Sequence, residues 1–294
     1  MAKGRELKGR IKSVEGTRKI TRTMEMVATS KLKRAQDRVV AARPYAAALT
    51  EVIADLYSTE LAAEFPLLRQ PPKVERAGVL LLTSNRGLAG AFNSNLIREA
   101  RALVARLESS GTEVELHVVG RKGTGYFRFV GRALASTRTD ISDRPSAQDA
   151  AGLVDQMMSD FIAGRLDAVY VVYAKFNSVL STPATSLAVL PVARPERKAN
   201  QVGGVGSGVV RDYILEPNAQ AILSELLPLY VRNTVYRALV ETAAGEQGAR
   251  RTAMKNATDN AGEMLNVLRR TYNRARQAQI TQEIAEIVGG AEAL

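Results

Sequence analysis

The chain has 294 residues, 46% of them apolar, enough for a sizeable core in one large or two ordinary domains. It contains no cysteine, which excludes disulfides, iron–sulfur clusters, thiolate zinc sites and a Cys nucleophile. His117 is the single histidine, set in an apolar, strand-like run where a satisfied structural ring is expected, and the net charge of +11 points to an anionic partner.

Residues 1–43 carry 13 Lys and Arg against four acidic residues, so the positive charge concentrates at the N-terminal end. That end is also periodic. Leu7, Ile11 and Val14 keep the four–three spacing of a coiled-coil seam. Ile20, Met24 and Val27 repeat the spacing one residue out of register, and Leu32, Ala35, Val39, Ala42, Ala46, Leu49, Ile53 and Leu56 return to it. The pattern predicts one long helix with a locally slipped seam, about 80 Å over 5–57 at the usual rise per residue. Pro44 lacks an amide hydrogen and is expected to kink or restart it.

The middle has a different texture. Segments 77–83, 113–119, 167–175 and 185–192 read as short strands, with helical stretches near 94–108 and 147–163 between them. Alternation of this kind predicts a parallel α/β layer. Gly203–Gly208 is expected to be a surface loop leading out of it.

The C-terminal stretch is again periodic and basic. Met254, Ala257, Ala261, Met264, Leu268, Tyr272 and Ala275 keep three–four spacing, extended by Ile284 and either Ile287 or Val288. A helix from about residue 219 to 288 is expected, with Pro228 an early kink and Gly289-Gly290 a stop. The organisation is then an N-terminal helix over 1–60, an α/β domain over 74–210 and a C-terminal helix over 217–288. The two helices are expected to bury their stripes against each other as an antiparallel coiled coil, through an Ala-rich seam that gains little burial.

Ligand motifs are weak throughout. Thr83–Asn93 (TSNRGLAGAFN) lies between a strand and a helix but lacks the spacing and the lysine of a phosphate loop, and reads as a tight turn using Gly87 and Gly90. Gly123-x-Gly125 lacks a third spaced glycine. Asp140, Asp143 and Asp149 stand in a Ser/Arg/Pro-rich stretch that reads as a turn rather than a metal site. No catalytic residue, cofactor or metal is expected. The longest apolar runs fall far short of the ~20 residues that span a bilayer, and no signal-peptide core follows the first residues. A basic coiled-coil protein that grips nucleic acid or an anionic membrane surface stays open on these grounds.

Six segments carry a resemblance to a known family. Lys19-Ile20-Thr21, Met24-Glu25-Met26-Val27-Ala28 with Ser30-Lys31, Ala42-Arg43-Pro44-Tyr45, Ser84–Asn93 and Ala253-Met254-Lys255 with Ala257–Asn260 all take part. The most specific match is at the end, where Ile280, Thr281, Glu283, Glu286, Gly290, Ala291 and Ala293 fill the slots of one pattern. In these segments the sequence resembles the gamma subunit of the F-type (rotary) ATP synthase, bacterial type. Asn85 departs from the Asp common in that family, and Pro228 falls inside an expected helix.

The resemblance implies an antiparallel coiled-coil shaft with a Rossmann-like α/β foot. It implies a non-catalytic rotor that couples proton-driven rotation of the c-ring to conformational cycling of the beta subunits. The implied partners are three alpha and three beta subunits, the epsilon subunit and the membrane c-ring, with no nucleic acid and no direct small-molecule substrate. The implied location is the cytoplasmic face of the bacterial plasma membrane. Carried over by motif, Met24 and Glu25 meet the lower beta loops, while Arg276 and Gln277 meet the beta catch with Thr281 and Glu283 just beyond. Asp212, Tyr213 and Glu216 fall in the foot segment before the C-terminal helix.

Overall fold

The computed structural model describes residues 2–56, 64–179, 181–192 and 218–292. In chain order these form α1 (Ala2–Leu56), a 3-10 turn (Pro66–Leu68), β1 (Arg76–Leu82), α2 (Phe92–Ser109), β2 (Glu113–Val119), α3 (Arg121–Phe129), β3 (Ser136–Arg138), α4 (Ala147–Ile162), β4 (Ala168–Ala174), β5 (Ala184–Leu190) and α5 (Ala219–Glu292). They divide into two compact units: Met1–Lys31 with Leu88–Gly90 and Gly248–Leu294, and Leu32–Gly87 with Ala91–Gln247. The division falls within α1 and α5, so each helix contributes to both units. Asp212, Tyr213, Glu216 and the Gly203–Gly208 loop lie outside the described residues.

The larger unit is built on a five-stranded sheet of order β3-β2-β1-β4-β5. Both β2 and β4 pair parallel to β1, and β3 pairs parallel to β2. The expected all-parallel layer needs one correction, because β5 runs antiparallel to β4. The connection 175–183 is too short for a parallel crossover, which takes a dozen or more residues. It closes as a hairpin through Lys175 N–H to Pro183 O (2.9 Å) and Asn177 N–H to Ser181 O (3.2 Å). Two elements are not expected from the sequence: α3, which carries Gly123 and Gly125, and the three-residue edge strand β3.

All but the first residue of β1 are buried, as expected of a central strand covered on both faces. One core gathers Leu80 and Leu82 of β1, Leu153, Met157 and Phe161 of α4, and Leu223, Leu227, Val231 and Val235 of α5, with Leu49, Ile53 and Leu56 of α1. The four α5 residues recur every fourth position, one stripe of a helix. Arg232 of α5 adds a bidentate pair to Asp155 of α4, at 2.7 and 3.0 Å. Ser146 caps α4 by accepting from Asp149 N–H (3.1 Å), while the Asp149 carboxylate accepts from Ser146 N–H (2.8 Å). Asp149 is therefore a helix-capping group.

Neither proline interrupts its helix. Pro44 lies inside α1 and Pro228 inside α5, and α5 continues through Gly289-Gly290 to Glu292. The carbonyls that the prolines leave without a helical donor belong to Val40 and Ser224, both exposed residues where water can take the missing place.

Candidate functional site

In the smaller unit α1 and α5 run antiparallel, as successive contacts require: Thr21 meets Thr258, Arg18 lies against Gly262, and Glu15 pairs with Arg269 at 2.6 Å. The α1 seam does not slip. Half-buried Leu7, Ile11 and Val14 are followed seven residues on by buried Thr21 and then by buried Ala28, still in register with Leu32. Ile20 and Val27, expected in the seam, are 61% and 51% exposed. The same correction applies to α5. Its buried positions are Met254, Thr258, Ala261 and Leu265, continued by half-buried Leu268, Tyr272 and Ala275, and Met264 is 55% exposed. On α1 a more apolar residue stands one place before the buried one, Ile20 before Thr21 and Val27 before Ala28, so hydropathy favours the wrong member there.

A polar layer interrupts this seam. Thr258 Oγ1 lies 2.8 Å from both Thr21 Oγ1 and Met254 O, and Thr21 Oγ1 donates to Arg18 O at 3.1 Å. Both hydroxyls are buried and partnered, and sliding the helices would set each against apolar neighbours. A matched polar layer of this kind fixes register. The tip of the β1–α2 turn, Leu88–Gly90, belongs to the same unit, with Gly90 facing Ala253. The positive φ values of that turn fall on Leu88 (63°) and Gly90 (57°), not on Gly87.

The body of the turn is tied by its own side chains in the larger unit. Thr83 Oγ1 donates to Val119 O (2.6 Å) and accepts from Gly123 N–H (3.0 Å). Asn93 Oδ1 accepts from Ser84 N–H at 3.0 Å. Asn85 Nδ2 donates to Thr139 O (3.0 Å) and Ile141 O (2.9 Å), while its Oδ1 accepts from Arg121 N–H (3.0 Å). Gly120, at φ 96°, approaches so closely that a Cβ there would stand 2.2 Å from Thr83 O. The side chains of Thr83, Ser84 and Asn85 are thus spent on tying the turn to the fold.

His117 of β2 is only half satisfied. Its Nδ1 bonds Ser136 Oγ on β3 at 2.8 Å, but Nε2 is buried without a hydrogen-bond partner and lies 3.8 Å from Glu115. Burial holds the ring below its usual value of 6.5, against the pull of the Glu115 and Asp160 carboxylates. Among the described residues no cluster of three or more His, Cys, Asp or Glu could hold a metal ion. No described helix is long and apolar enough to cross a membrane.

The residues singled out in the sequence occupy two levels of the helical pair. Met24 and Glu25 are half-buried on α1, close to the Thr21–Thr258 layer. Arg276, Gln277, Thr281 and Glu283 are exposed on α5. Glu283 accepts from Gln279 Nε2 at 2.9 Å, and Thr281 Oγ1 donates to Gln277 O at 3.0 Å. Thr258 and Arg276 are separated by about 27 Å along α5 at the usual rise per residue, so the two groups do not form one site. Unanticipated on the outer surface are Ile20, Met26, Val27, Met264 and Val267. The unbroken seven-residue repeat of Val14, Thr21 and Ala28 is the signal that would have found them.

The sequence matches the ATP synthase family over residues 3–294. An ATP synthase gamma chain from Gemmatimonas aurantiaca is 67% identical over 294 residues, covering 100% of this chain and 99% of that one. The chain belongs to the ATP synthase gamma-chain family. A chain in the central stalk and c-ring structure of the Tetrahymena thermophila mitochondrial ATP synthase is 26% identical, with a TM-score of 0.61 over 81% of this chain and 99% of that one. A chain from the Euglena gracilis mitochondrial enzyme, 19% identical with a TM-score of 0.67 over 99% and 94%, shares the fold. A gamma chain is a non-catalytic subunit of a membrane-associated complex, and its role is that of the rotor shaft. That membership decides against the reading as a basic coiled coil that grips nucleic acid.

Proposed function

We propose that the antiparallel pair of α1 and α5 is the part of the rotor that turns inside a ring of three alpha and three beta subunits. The α/β layer then takes up rotation from the c-ring and the epsilon subunit. The complex lies on the cytoplasmic face of a bacterial plasma membrane. The observation that carries this reading is the inversion of the helical pair. Its seam mixes Ala and Thr with larger apolar residues, while Ile20, Val27, Met264 and Val267 face outward. Apolar residues left out of a seam that could have used them are suited to a surrounding partner.

Met24 and Glu25 would face the lower beta loops. Arg276 and Gln277 would face the beta catch, with Thr281 and Glu283 beside them, and the Asp212–Glu216 segment would belong to the foot. One asymmetric shaft offers a different face to each of three beta subunits, and differential contact is what shifts a conformational equilibrium. The test is Met24→Lys in the assembled complex. An added charge at this half-buried position should lower the protons pumped per ATP hydrolysed in membrane vesicles. An unchanged ratio would rule out a coupling role for Met24. Native mass spectrometry of complexes released from their own cells should show one copy of the chain with three of each larger subunit.

A further inference from the structure

In a sheet of order β3-β2-β1-β4-β5, the chain leaves β1 toward one side and returns in β4 on the other. The crevice beyond the carboxyl ends of β1 and β4 is where doubly wound folds take their ligands. Here α5 fills it. Gly245 packs so closely that a Cβ would stand 3.2 Å from the Ala174 Cβ, 3.3 Å from the Phe92 ring and 3.5 Å from the Thr182 Cβ. One turn earlier, Thr242 Oγ1 accepts from Ala174 N–H at 3.3 Å and the Glu241 carboxylate accepts from Phe176 N–H at 3.0 Å. The Glu241 side chain is 12% exposed, with Arg237 at 3.7 Å. A carboxylate of the chain itself therefore binds the backbone donor at the end of β4.

The residue held in this way is also clamped by its side chain. Phe176 is buried in a small separate core made by Leu32, Ala35 and Val39 of α1 and Val240 and Ala244 of α5. The β4–β5 hairpin is thus gripped at one residue by both helices, through its ring and through its amide. Beside it stands the longer, uncharged Thr242 bond to Ala174 N–H, and the core contacts of α5 are apolar packing, which resists sliding weakly. The Glu241 bond is directional and charge-assisted, so it resists displacement of strand against helix.

We infer that this joint is where the α/β layer grips α5, and that Glu241 is a positioning residue for coupling, carrying motion imposed on the sheet into the helix. The inference rests on the rotor reading above. Its test uses assembled complexes carrying Glu241→Ala and Glu241→Gln. The Gln variant keeps an oxygen acceptor for Phe176 N–H, and the Ala variant removes it. Two quantities are read: hydrogen exchange of the amides of Ala174 and Phe176, and protons pumped per ATP hydrolysed in vesicles, at equal subunit stoichiometry.

In the Ala variant exchange of the Phe176 amide should rise by about tenfold, the effect of one charge-assisted bond on local opening, and the Ala174 amide, held by Thr242, should change less. The pumping ratio should fall with it, and the Gln variant should retain both. A merely structural contact would lower the yield of complexes but leave the ratio of the assembled ones unchanged. Glu241→Asp keeps the charge, withdraws the acceptor by one methylene, and reads the same quantities if Ala complexes do not assemble. Unchanged exchange, or faster exchange with an unchanged ratio, would overturn the joint. A wild-type complex that lacks the six larger subunits or pumps no protons would overturn the rotor reading and the joint with it.

Discussion

The choice between Met264 and Leu265 as the seam residue of α5 can be decided by two substitutions. Leu265 is 2% exposed and Met264 is 55% exposed, though they are neighbours of similar hydropathy. Leu265→Ala removes a buried branched side chain next to Ala261 and Leu268, where little can move in to fill the space. A two-stranded seam encloses less than a globular core, so the cost falls at the lower end of the usual range, about 2 to 3 kcal/mol. Met264→Ala leaves the seam untouched and should cost no more than about 0.5 kcal/mol. Hydrogen exchange of the α5 amides around residues 258–272 reads local opening of the helical pair directly. It should accelerate by about 30- to 150-fold in the first variant and at most about twofold in the second, since 1.4 kcal/mol is tenfold. Equal acceleration, or a larger one for Met264→Ala, would return the seam to the register that places Met264 in it.

Protonating His117 requires charging a buried ring whose Nε2 has no partner. Its folded value is depressed below 6.5, so the folded state binds fewer protons than the unfolded chain in that range. The stabilisation is complete above about pH 6.5 and is lost as the pH falls through the depressed value, so the melting temperature should drop as the pH is lowered below about 6.5. His117→Gln should flatten that slope, and an unaltered slope would place the titration elsewhere. Asn85→Asp turns the two amide donations to Thr139 O and Ile141 O into a carboxylate facing two carbonyls, and urea unfolding should show a loss of about 1–3 kcal/mol. The Glu15–Arg269 pair, by contrast, is largely solvent-exposed, and Glu15→Gln should change the stability of the helical pair by less than about 1 kcal/mol in the same assay.

The sequence and the structure agree wherever periodicity was strong and long. Both terminal helices and four of the five strands are legible, because each apolar pattern repeats often enough to exclude the alternative. The failures are local and share a cause. Ile20 and Val27 are more apolar than Thr21 and Ala28, so a reading by hydropathy shifts the seam by one residue. Only the constraint that two helices stay in contact over many turns restores the register. The direction of β5 depends on the length of the 175–183 connection, not on the strand's composition. The residues proposed as contacts come only from family resemblance, since Arg276, Gln277, Thr281 and Glu283 have ordinary exposed surroundings. A contact with a partner leaves no periodic pattern in a single chain.

The distribution of apolar side chains along α5 supplies the physical reason why such a helix needs company. Its buried seam positions end at Leu265, half-buried ones continue through Leu268, Tyr272, Ala275 and Gln279, and the residues from 280 to 285 are exposed. Ile280, Ile284 and Ile287 are nevertheless spaced four and three, as a buried stripe would be, and they are 47%, 56% and 72% exposed. Arg276 continues the same line one turn earlier. A helix stripe with this spacing and no cover leaves apolar area in water that burial would relieve at about 25 cal/mol per Å². The end of α5 is therefore better matched to an apolar partner surface than to water. Interleaving Arg276, Thr281 and Glu283 with the isoleucines limits how tightly any one orientation can be held. A shaft that must pass through several orientations requires that limit, because a continuous apolar contact would make one of them too stable to leave.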